Sequence, residues 1–236
     1  MKTIGLIGGM SWESTATYYQ VINQTIGQEL GGLHSAKILL YSVNFSEIEK
    51  YQSEGKWSEA AKILGMAAYK LQVSGADFIV ICTNTMHKIV PEIKRYIEIP
   101  VLHIAETMAY AADEARVKKV LLLGTKYTVN EDFYKETLKK FHLKVAVPPF
   151  SLVESLNYVI FEQLCVGRVD YTFKKIFLEA IVPIIKDDGV QGVILGCTEL
   201  GLMFGKEDFP VPVFDSALIH AKSAALYSID RLGHSI

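Results

Sequence analysis

The sequence predicts an α/β fold of two pseudo-symmetric lobes, each a mostly parallel sheet flanked by helices. Short apolar segments alternate with segments of helical periodicity, which is typical of parallel strands joined by crossover helices. Several short segments are apolar at almost every position, as strands covered on both faces are. Part of the chain also repeats itself, so the second half is expected to resemble the first in structure.

In the first half, residues 4–8, 36–43 and 78–82 are predicted to be strands, because each is a short and largely apolar segment. Apolar residues recur on one helical face between residues 58 and 75, which predicts a helix there. Gly75 stands at the end of this segment, where a glycine commonly terminates a helix.

In the second half, residues 120–123 and 193–195 are predicted to be strands of the same kind. Thr128 and Glu131 match the pattern of a capping box, so a helix is expected to begin there. Asp170 is predicted to cap a longer helix that ends before the strand at residue 193.

The internal repeat relates two strand-to-helix turns. Residues 75–85 align with residues 189–199 without a gap, at a shift of 114 residues (189 − 75), which places Thr83 on Cys197. Two further pairs of segments match in the same order: residues 4–8 with 120–124, and residues 99–103 with 211–215. Three ordered matches favour a duplicated lobe over the alternative, convergence of buried strands on similar apolar residues.

Composition restricts the classes of partner. The chain has 24 lysine and arginine residues against 26 aspartate and glutamate residues, so no basic excess predicts nucleic-acid binding. No apolar stretch approaches the roughly 20 residues that cross a bilayer, and no secretory signal is recognised, so no membrane partner is expected. Three cysteines are too few for a disulfide framework, which predicts a reducing, cytoplasmic location.

The two related turns form the candidate site. Ligands of parallel α/β sheets bind beyond the carboxyl ends of the strands, and Thr83 and Cys197 each follow such an end. Two facing lobes would hold these side chains on opposite faces of one ligand. That arrangement suits stereoinversion, in which one face of a carbon loses a proton and the other face gains one. We therefore predict that Thr83 and Cys197 are the acid/base pair.

Each candidate residue has a structural alternative. Cys197 is predicted to be a base whose thiol pKa of about 8.5 is lowered by a helix N-terminus, although many cysteines are only small apolar core residues. The Thr83 hydroxyl is not ionised near neutral pH and could instead cap a helix or anchor a ligand. Asn84 and Thr85 are predicted to bind a carboxylate or amino group, with capping as the alternative. Cys82 is expected in the core, because successive strand residues point to opposite faces.

The other motifs do not indicate a cofactor. The glycine-rich turn at residues 5–12 lacks the spacing of a dinucleotide fingerprint. The backbone N–H groups of Met10 and Ser11 are nevertheless predicted to bind a small anion, and Trp12 is a third predicted ligand contact. His87 and His103 are expected to be hydrogen-bonded structural residues, because no cluster has metal-ligand spacing. We predict that the protein requires neither a cofactor nor a metal.

Three motifs carry a family resemblance: IGLIGGMSWEST at residues 4–15, CTNTMHK at 82–88 and GCTELG at 196–201. With them, essentially the whole chain resembles the aspartate/glutamate racemase family. The resemblance implies an active site between the lobes and a last segment that returns to the first lobe. It also implies catalysis without pyridoxal phosphate or metal, by one cysteine from each lobe. The predicted lobes are residues 1–104 with 216–236, and residues 105–215.

The chain departs from the family pattern at residues that bear on the substrate. Thr83 takes the place of the first-lobe cysteine, which defines a subset with one catalytic cysteine. Gln52 falls where the family often has an arginine for the substrate side chain, and Cys165 follows Leu164 where the family often has a lysine. Arg168 is a candidate to replace one of these two basic residues. The remaining predicted substrate contacts lie in the second lobe: Thr125, Thr198 and Glu199.

The predicted function is a cofactor-independent racemase of aspartate, glutamate or a broader set of amino acids, which forms D-amino acids by proton transfer at the α-carbon. One alternative is a one-cysteine decarboxylase or isomerase of a dicarboxylate. Another is a catalytically silent relative that only binds amino acids. The expected partner is a small-molecule amino-acid substrate. The sequence is compatible with both a monomer and a homodimer.

Overall fold

In the computed structural model, which describes residues 1–233, the chain forms two compact units. The first comprises Met1–Ile104 and the chain from His220 onward, and the second comprises Ala105–Ile219. Residues 234–236, which end the predicted first lobe, lie outside the described residues. Each unit contains one sheet of four parallel strands flanked by helices, so the predicted α/β fold is confirmed.

The first unit alternates strands and helices. Its elements are β1 (Ile4–Gly8), α1 (Trp12–Leu30), β2 (Ile38–Ser42), α2 (Phe45–Ser53), α3 (Trp57–Val73), β3 (Phe78–Ile81), α4 (Val90–Ile93) and β4 (Val101–Leu102). One 3-10 helix, Thr85–Ile89, joins β3 to α4, and a second, Lys94–Tyr96, follows α4. The parallel strands lie in the order β2-β1-β3-β4, which makes β1 and β3 the inner strands.

The apolar strands predicted from the sequence are the inner strands of this sheet. Every residue of β1 and β3 is buried, as expected of strands that are covered on both faces. Leu64, Ala67 and Leu71 of α3 lie in the same buried apolar cluster as residues of both strands, and their spacing follows one helical face. Gly75 follows α3 with a φ of +98°, a conformation that favours glycine.

The second unit has the same plan with more helices. Its elements are α5 (Ile104–Glu114), β5 (Lys119–Leu123), α6 (Lys126–Asn130), α7 (Asp132–Lys140), β6 (Lys144–Ala146), α8 (Phe150–Glu162), α9 (Tyr171–Asp187), β7 (Gly192–Leu195), α10 (Leu200–Met203) and β8 (Val213–Asp215). The last helix, α11 (Ser216–Ser228), begins in the second unit and belongs to the first from His220 onward. Two 3-10 helices, Leu164–Val166 and Lys206–Asp208, follow α8 and α10. The parallel strands lie in the order β6-β5-β7-β8.

The two sheets share one strand order. Strands β1, β2, β3 and β4 occupy the same places in the first sheet as β5, β6, β7 and β8 in the second. The internal repeat predicts this correspondence, because it aligns the sequences around β1 and β5, β3 and β7, and β4 and β8. The turns after β3 and β7 are therefore structural equivalents.

The long helix of the second unit begins where the sequence indicates. The Asp170 carboxylate accepts hydrogen bonds from the backbone N–H groups of Thr172 and Phe173, both at 2.9 Å, so it caps α9. The apolar face of α9 is buried through three residues: Phe177, Ile181 and Ile185. These residues share one apolar cluster with residues of β5 and β7, which anchors the helix on the sheet.

The helix start predicted at Thr128 is wrong. Thr125 caps α6 instead, because its hydroxyl accepts a hydrogen bond from the Thr128 backbone N–H at 3.4 Å. Glu131 only precedes α7, which begins at Asp132, and its side chain forms no capping hydrogen bond. The threonine that follows the strand directly is thus the cap, and the second threonine lies inside the helix.

Candidate active site

Both predicted acid/base residues lie two positions beyond an inner strand. Thr83 follows the end of β3 at Ile81, and Cys197 follows the end of β7 at Leu195. Each inner strand is flanked by two parallel neighbours, so both residues stand at the carboxyl edge of their own sheet. Ligands of α/β sheets bind at this edge.

The turn after β3 leaves the Thr83 hydroxyl unused. The Thr83 backbone N–H donates to the Ile81 carbonyl oxygen at 2.9 Å. Within residues 1–233, the Thr83 hydroxyl makes no hydrogen bond, and its side chain is half-buried. The 3-10 helix that follows starts after Asn84, without a capping hydrogen bond from that side chain. Thr83 is therefore not a helix cap, and its neighbours Asn84 and Thr85 are buried.

His87 fixes the same turn from its buried side. Its backbone N–H donates to the Asn84 carbonyl oxygen at 3.0 Å, and its ring Nδ1 lies 2.8 Å from the Thr83 carbonyl oxygen. A carbonyl oxygen only accepts, so Nδ1 carries the ring proton. Burial lowers the pKa of His87 to about 4, so the ring is neutral at pH 7. These contacts agree with the structural role expected of this histidine.

His87, His103 and His220 form a cluster of histidine rings, and Tyr18 is hydrogen-bonded to it. Sequence reasoning missed Tyr18 and His220. The His220 ring lies 5.6 Å from the ring of His87, and that of His103 lies 4.8 Å from it. His220 Nε2 donates to the Leu102 carbonyl oxygen at 3.0 Å, and its Nδ1 accepts from the Tyr18 hydroxyl at 2.8 Å. Burial and the neighbouring His87 lower the pKa of His220 to about 3. No local motif marks His220, because it reaches the cluster from α11.

The glycine-rich turn after β1 holds three of the predicted ligand contacts. Gly9 has a φ of +90°, and its N–H donates to Thr15 Oγ1 at 2.8 Å, which fixes the turn against α1. Met10 and Ser11 are buried in the turn, and the Ser11 side chain caps α1. Trp12 is 69% exposed in the first turn of that helix.

Gln52 lies on α2 and is only 4% exposed. Its side-chain amide forms no hydrogen bond with the part of the chain that the structure describes. Its amide atoms are nevertheless not among the fully buried polar atoms that lack a partner, so the amide is accessible to water or to a polar ligand. The observation fits the substrate contact that the sequence predicts for Gln52.

Two glycines bring the ends of β5 and β7 together. The Gly196 N–H donates to the Leu123 carbonyl oxygen at 2.6 Å. A Cβ atom on Gly196 would lie 2.8 Å from that oxygen, and one on Gly124 would lie 3.0 Å from the Gly196 carbonyl oxygen. Only glycine permits this approach, which sets Thr125 and Cys197 at the same edge of the second sheet. Thr125 is buried there as the cap of α6.

Cys197, Thr198 and Glu199 form a hydrogen-bonded group after β7. The Cys197 thiol donates to Glu199 Oε2 at 3.0 Å, and the Thr198 hydroxyl donates to the same oxygen at 2.8 Å. Cys197 is 8% exposed and Glu199 is 5% exposed, so the carboxylate is largely withdrawn from water. A buried carboxylate beside a thiol favours the protonated form of that thiol.

The expectation that a helix N-terminus lowers the pKa of Cys197 is wrong. Burial raises this pKa well above its ordinary value, and the charge of Glu199 and the nearby Cys165 raise it further. The backbone N–H of Glu199 acts in the opposite direction but does not prevail. The helix that follows, α10, has four residues and begins only at Leu200, so the thiol faces a carboxylate rather than a long helix dipole.

The other cysteines and Arg168 differ in their burial. Cys82 is fully buried, as predicted for the core side of β3, and burial raises its pKa. Cys165 is half-buried and packs against the apolar cluster that contains Cys197. Arg168 is exposed. Within the described residues, no group of three or more His, Cys, Asp or Glu side chains could hold a metal ion, and no helix has the length and apolarity needed to cross a membrane.

Comparison with known proteins places this chain among racemases. The sequence model of the Asp/Glu/Hydantoin racemase family matches residues 7–224. A crystal structure from Yersinia pestis, provisionally named an Asp/Glu racemase, is 46% identical, with a TM-score of 0.90 over 97% of this chain and 100% of that one. An aspartate racemase homologue from Pyrococcus horikoshii is 37% identical, with a TM-score of 0.83 over the same shares.

Curated relatives agree with these structures at lower identity. The broad specificity amino-acid racemase RacX of Bacillus subtilis is 27% identical over 70% of each chain. The match to a Streptococcus suis glutamate racemase, at 31% identity, covers about half of that enzyme, 49% of its length. Family model and solved structures together cover nearly the whole chain. The chain thus belongs to the Asp/Glu/hydantoin racemase family and is an isomerase of the racemase class.

Proposed function

We propose that this protein is a cofactor-independent amino-acid racemase in which Thr83 and Cys197 serve opposite faces of the substrate α-carbon. The observation that carries the proposal is the equivalence of the two residues, each two positions beyond the same inner strand of its sheet. The mechanism requires both side chains to reach one α-carbon. One of them removes the α-proton, and the other delivers a proton to the opposite face.

The substrate is held, in this proposal, by polar groups at the carboxyl edges of the two sheets. Asn84 and Thr85 in the first unit, and Thr125 and Thr198 in the second, offer hydroxyl and amide groups to the α-amino and α-carboxylate groups. The N–H groups of the turn at residues 10–12 add donors for an anion. A zwitterionic amino acid needs both kinds of partner, and these residues supply them without a metal.

Gln52 is the proposed contact for the substrate side chain. A neutral amide binds a carboxylate less strongly than a guanidinium does, because the guanidinium adds a positive charge and two parallel N–H donors for a bidentate contact. An amide also accepts neutral polar side chains, since it offers both a donor and an acceptor. We therefore propose a specificity that extends beyond aspartate and glutamate, as the name of the Bacillus subtilis relative states for that enzyme.

A panel of L- and D-amino acids, assayed by chiral chromatography without added cofactor, tests the proposal. Acidic and small polar amino acids are expected to racemise and to exchange the α-hydrogen in heavy water. Cys197→Ser is expected to abolish most turnover with the fold intact, whereas Cys82→Ala and Cys165→Ala retain measurable activity. Release of carbon dioxide from a dicarboxylate would indicate a decarboxylase, and binding without exchange would indicate a silent relative.

A further inference from the structure

Cys197 has a second thiol in its surroundings. Cys165 lies on the 3-10 helix Leu164–Val166 and packs against the apolar cluster that contains Cys197. This short helix contacts α10, and the first N–H group of α10, that of Leu200, donates to the Cys197 carbonyl oxygen at 3.1 Å. Cys165 also acts electrostatically on the Cys197 thiol and contributes to its raised pKa. The two thiols therefore belong to one part of the second unit.

The two thiols differ in their access to solvent. Cys165 is half-buried, whereas Cys197 is only 8% exposed and donates its proton to Glu199. Oxidation of a cysteine follows its exposure and its thiolate character, because the thiolate is the form that attacks an oxidant. A small oxidant thus reaches Cys165 before Cys197. Cys82, the third cysteine of the chain, is fully buried and is the least accessible of the three.

The segment that carries Cys165 is a short connection between α8 and α9. Its single 3-10 turn ends at Gly167, which has a φ of +72°. Turns of this kind have poorer hydrogen-bond geometry than α-helices, whereas β7, which precedes Cys197, is paired on both sides. A disulfide needs two Cα atoms about 4.4 to 6.8 Å apart. The turn at Cys165 is therefore the part that adjusts when such a bond forms.

We propose that Cys165 is an oxidative modification site, at which hydrogen peroxide forms a sulfenic acid that condenses with Cys197 to a reversible disulfide. A sulfur atom in a disulfide carries no proton, so Cys197 in this form can neither remove nor deliver one. The loss of turnover rests on the proposed racemase function, whereas the formation of the disulfide does not. Oxidation would in this way switch the enzyme off without destroying the Cys197 sulfur.

The reaction balances in two steps. The Cys165 thiol loses its proton to water, and the thiolate attacks the O–O bond of hydrogen peroxide. An S–O bond forms, the O–O bond breaks, and the released hydroxide takes up a proton to become water. The Cys197 sulfur then displaces hydroxide from the Cys165 sulfur, and the Cys197 proton leaves with this hydroxide as a second water. The two thiols together lose two electrons, and one hydrogen peroxide is reduced to two molecules of water.

The test treats the folded protein with hydrogen peroxide, blocks the remaining thiols with iodoacetamide in denaturant and maps tryptic peptides without reductant. Trypsin places each cysteine on its own peptide: residues 71–88 carry Cys82, residues 145–168 carry Cys165 and residues 187–206 carry Cys197. The expected product joins the second and third peptides with loss of two hydrogen atoms, and dithiothreitol removes it. Racemase turnover is expected to fall nearly to zero with peroxide and to return with dithiothreitol.

Cys82→Ala and Cys165→Ala are a matched pair of controls, and circular dichroism shows whether each is folded. Cys82→Ala should form the linked product and lose turnover as the wild type does. Cys165→Ala should form no linked product and keep most of its turnover at a peroxide concentration that inactivates the wild type. In Cys197→Ser the sulfenic acid of Cys165 has no thiol with which to condense, so dimedone should trap it on that residue.

Absence of the linked product from the peroxide-treated wild type would overturn the inference. A disulfide-linked dimer on a non-reducing gel would also overturn it, because the bond would then join two chains. Peptide mapping needs no amino acid, so its result is independent of racemase activity. The linked product in a protein that racemises nothing would remove the proposed function and leave the disulfide standing. Racemisation that resists peroxide, without the linked product, would do the reverse.

Discussion

His87 is the residue that ties the candidate site to the core of the first unit. Its ring donates to the carbonyl oxygen of Thr83, and its backbone N–H donates to that of Asn84. The ring is neutral, so its contribution is geometric: it fixes the backbone from which the Thr83 side chain projects. A small displacement of an acid/base group lowers the rate strongly, which makes this histidine testable by substitution.

His87→Asn and His87→Gln are a matched pair for this purpose. The Asn amide nitrogen lies near the position of Nδ1 and can still donate to the Thr83 carbonyl oxygen, whereas the longer Gln side chain places its amide near the position of Nε2. We expect His87→Gln to lower kcat by about tenfold to a hundredfold, and His87→Asn to lower it much less. Racemisation kinetics check this, and equal losses in the two variants would contradict it.

The buried histidines also predict a dependence of stability on pH. The pKa values of His87 and His220, about 4 and about 3, lie below the ordinary value of 6.5. Between these values the unfolded chain binds more protons than the folded chain, so the free energy of unfolding falls as pH decreases from about 6.5. Each histidine contributes a slope of about 1.4 kcal/mol per pH unit until its folded pKa is reached.

Urea unfolding between about pH 6 and about pH 4.5 measures this slope. His87→Asn removes one of the two titrating groups. The free energy of unfolding of this variant should therefore vary less steeply with pH than that of the wild type, by about 1.4 kcal/mol per pH unit. The comparison concerns the slope and not the stability at one pH, so a general loss of stability in the variant does not affect it. An unchanged slope would show that His87 does not titrate differently on unfolding.

At the scale of elements, Gly124 and Gly196 allow the backbones at the ends of β5 and β7 to approach each other closely. Gly196→Ala would place a Cβ atom 2.8 Å from the Leu123 carbonyl oxygen, a backbone atom that cannot turn away. We expect a loss of about 1 to 3 kcal/mol in the free energy of unfolding. Activity should fall as well, because the displaced backbone carries Cys197.

Gly27→Ala is the control for Gly196→Ala. Gly27 lies within α1, and a Cβ atom there would meet nothing within 4 Å. Alanine is the better residue in a helix, so this substitution is expected to stabilise the protein by about 0.5 to 1 kcal/mol and to leave activity unchanged. Urea unfolding of both variants checks the contrast. A Gly196→Ala protein as stable and active as wild type would contradict the close approach.

The strands were the easiest elements to predict and the caps the hardest. β1, β3, β5 and β7 are continuous apolar segments in the sequence, because inner parallel strands are covered on both faces. β6 has three residues at the edge of its sheet, is partly exposed, and gives no such signal. The helix start at Thr128 was misplaced because Thr125 and Thr128 are both suitable caps, and only the end of β5 decides between them.

The candidate site could likewise be predicted only where the signal is local in the sequence. The positions of Thr83 and Cys197 beyond their strands could be predicted, since the repeat aligns them. The protonation state of Cys197 could not, because it depends on which way the Glu199 carboxylate turns, and a sequence carries no rotamer. His220 was missed because it meets His87 only after α11 has packed.

At the scale of the whole molecule, two lobes with the same strand order carry unlike residues, Thr83 and Cys197, at the proposed acid/base positions. A thiol releases a proton far more readily than an aliphatic hydroxyl, so a larger fraction of Cys197 than of Thr83 is available as a base even with the raised pKa of Cys197. The enantiomer whose α-hydrogen faces Cys197 is therefore expected to lose that hydrogen faster than the other enantiomer does. Two lobes of similar structure therefore need not remove the α-hydrogen from the two enantiomers at equal rates.

Exchange of the α-hydrogen in heavy water, started separately from each enantiomer, measures this asymmetry. The equilibrium constant between enantiomers is one, so a difference in kcat must be matched by a difference in KM, and both are to be determined. Thr83→Cys places a second thiol in the first lobe and should raise the slow direction, whereas Thr83→Ala should lower turnover. If both enantiomers exchange at similar rates and Thr83→Ala changes neither, the second acid/base group is another residue or a bound water. In that case the unused Thr83 hydroxyl would have no part in proton transfer, and the functional symmetry of the lobes would end at their strand order.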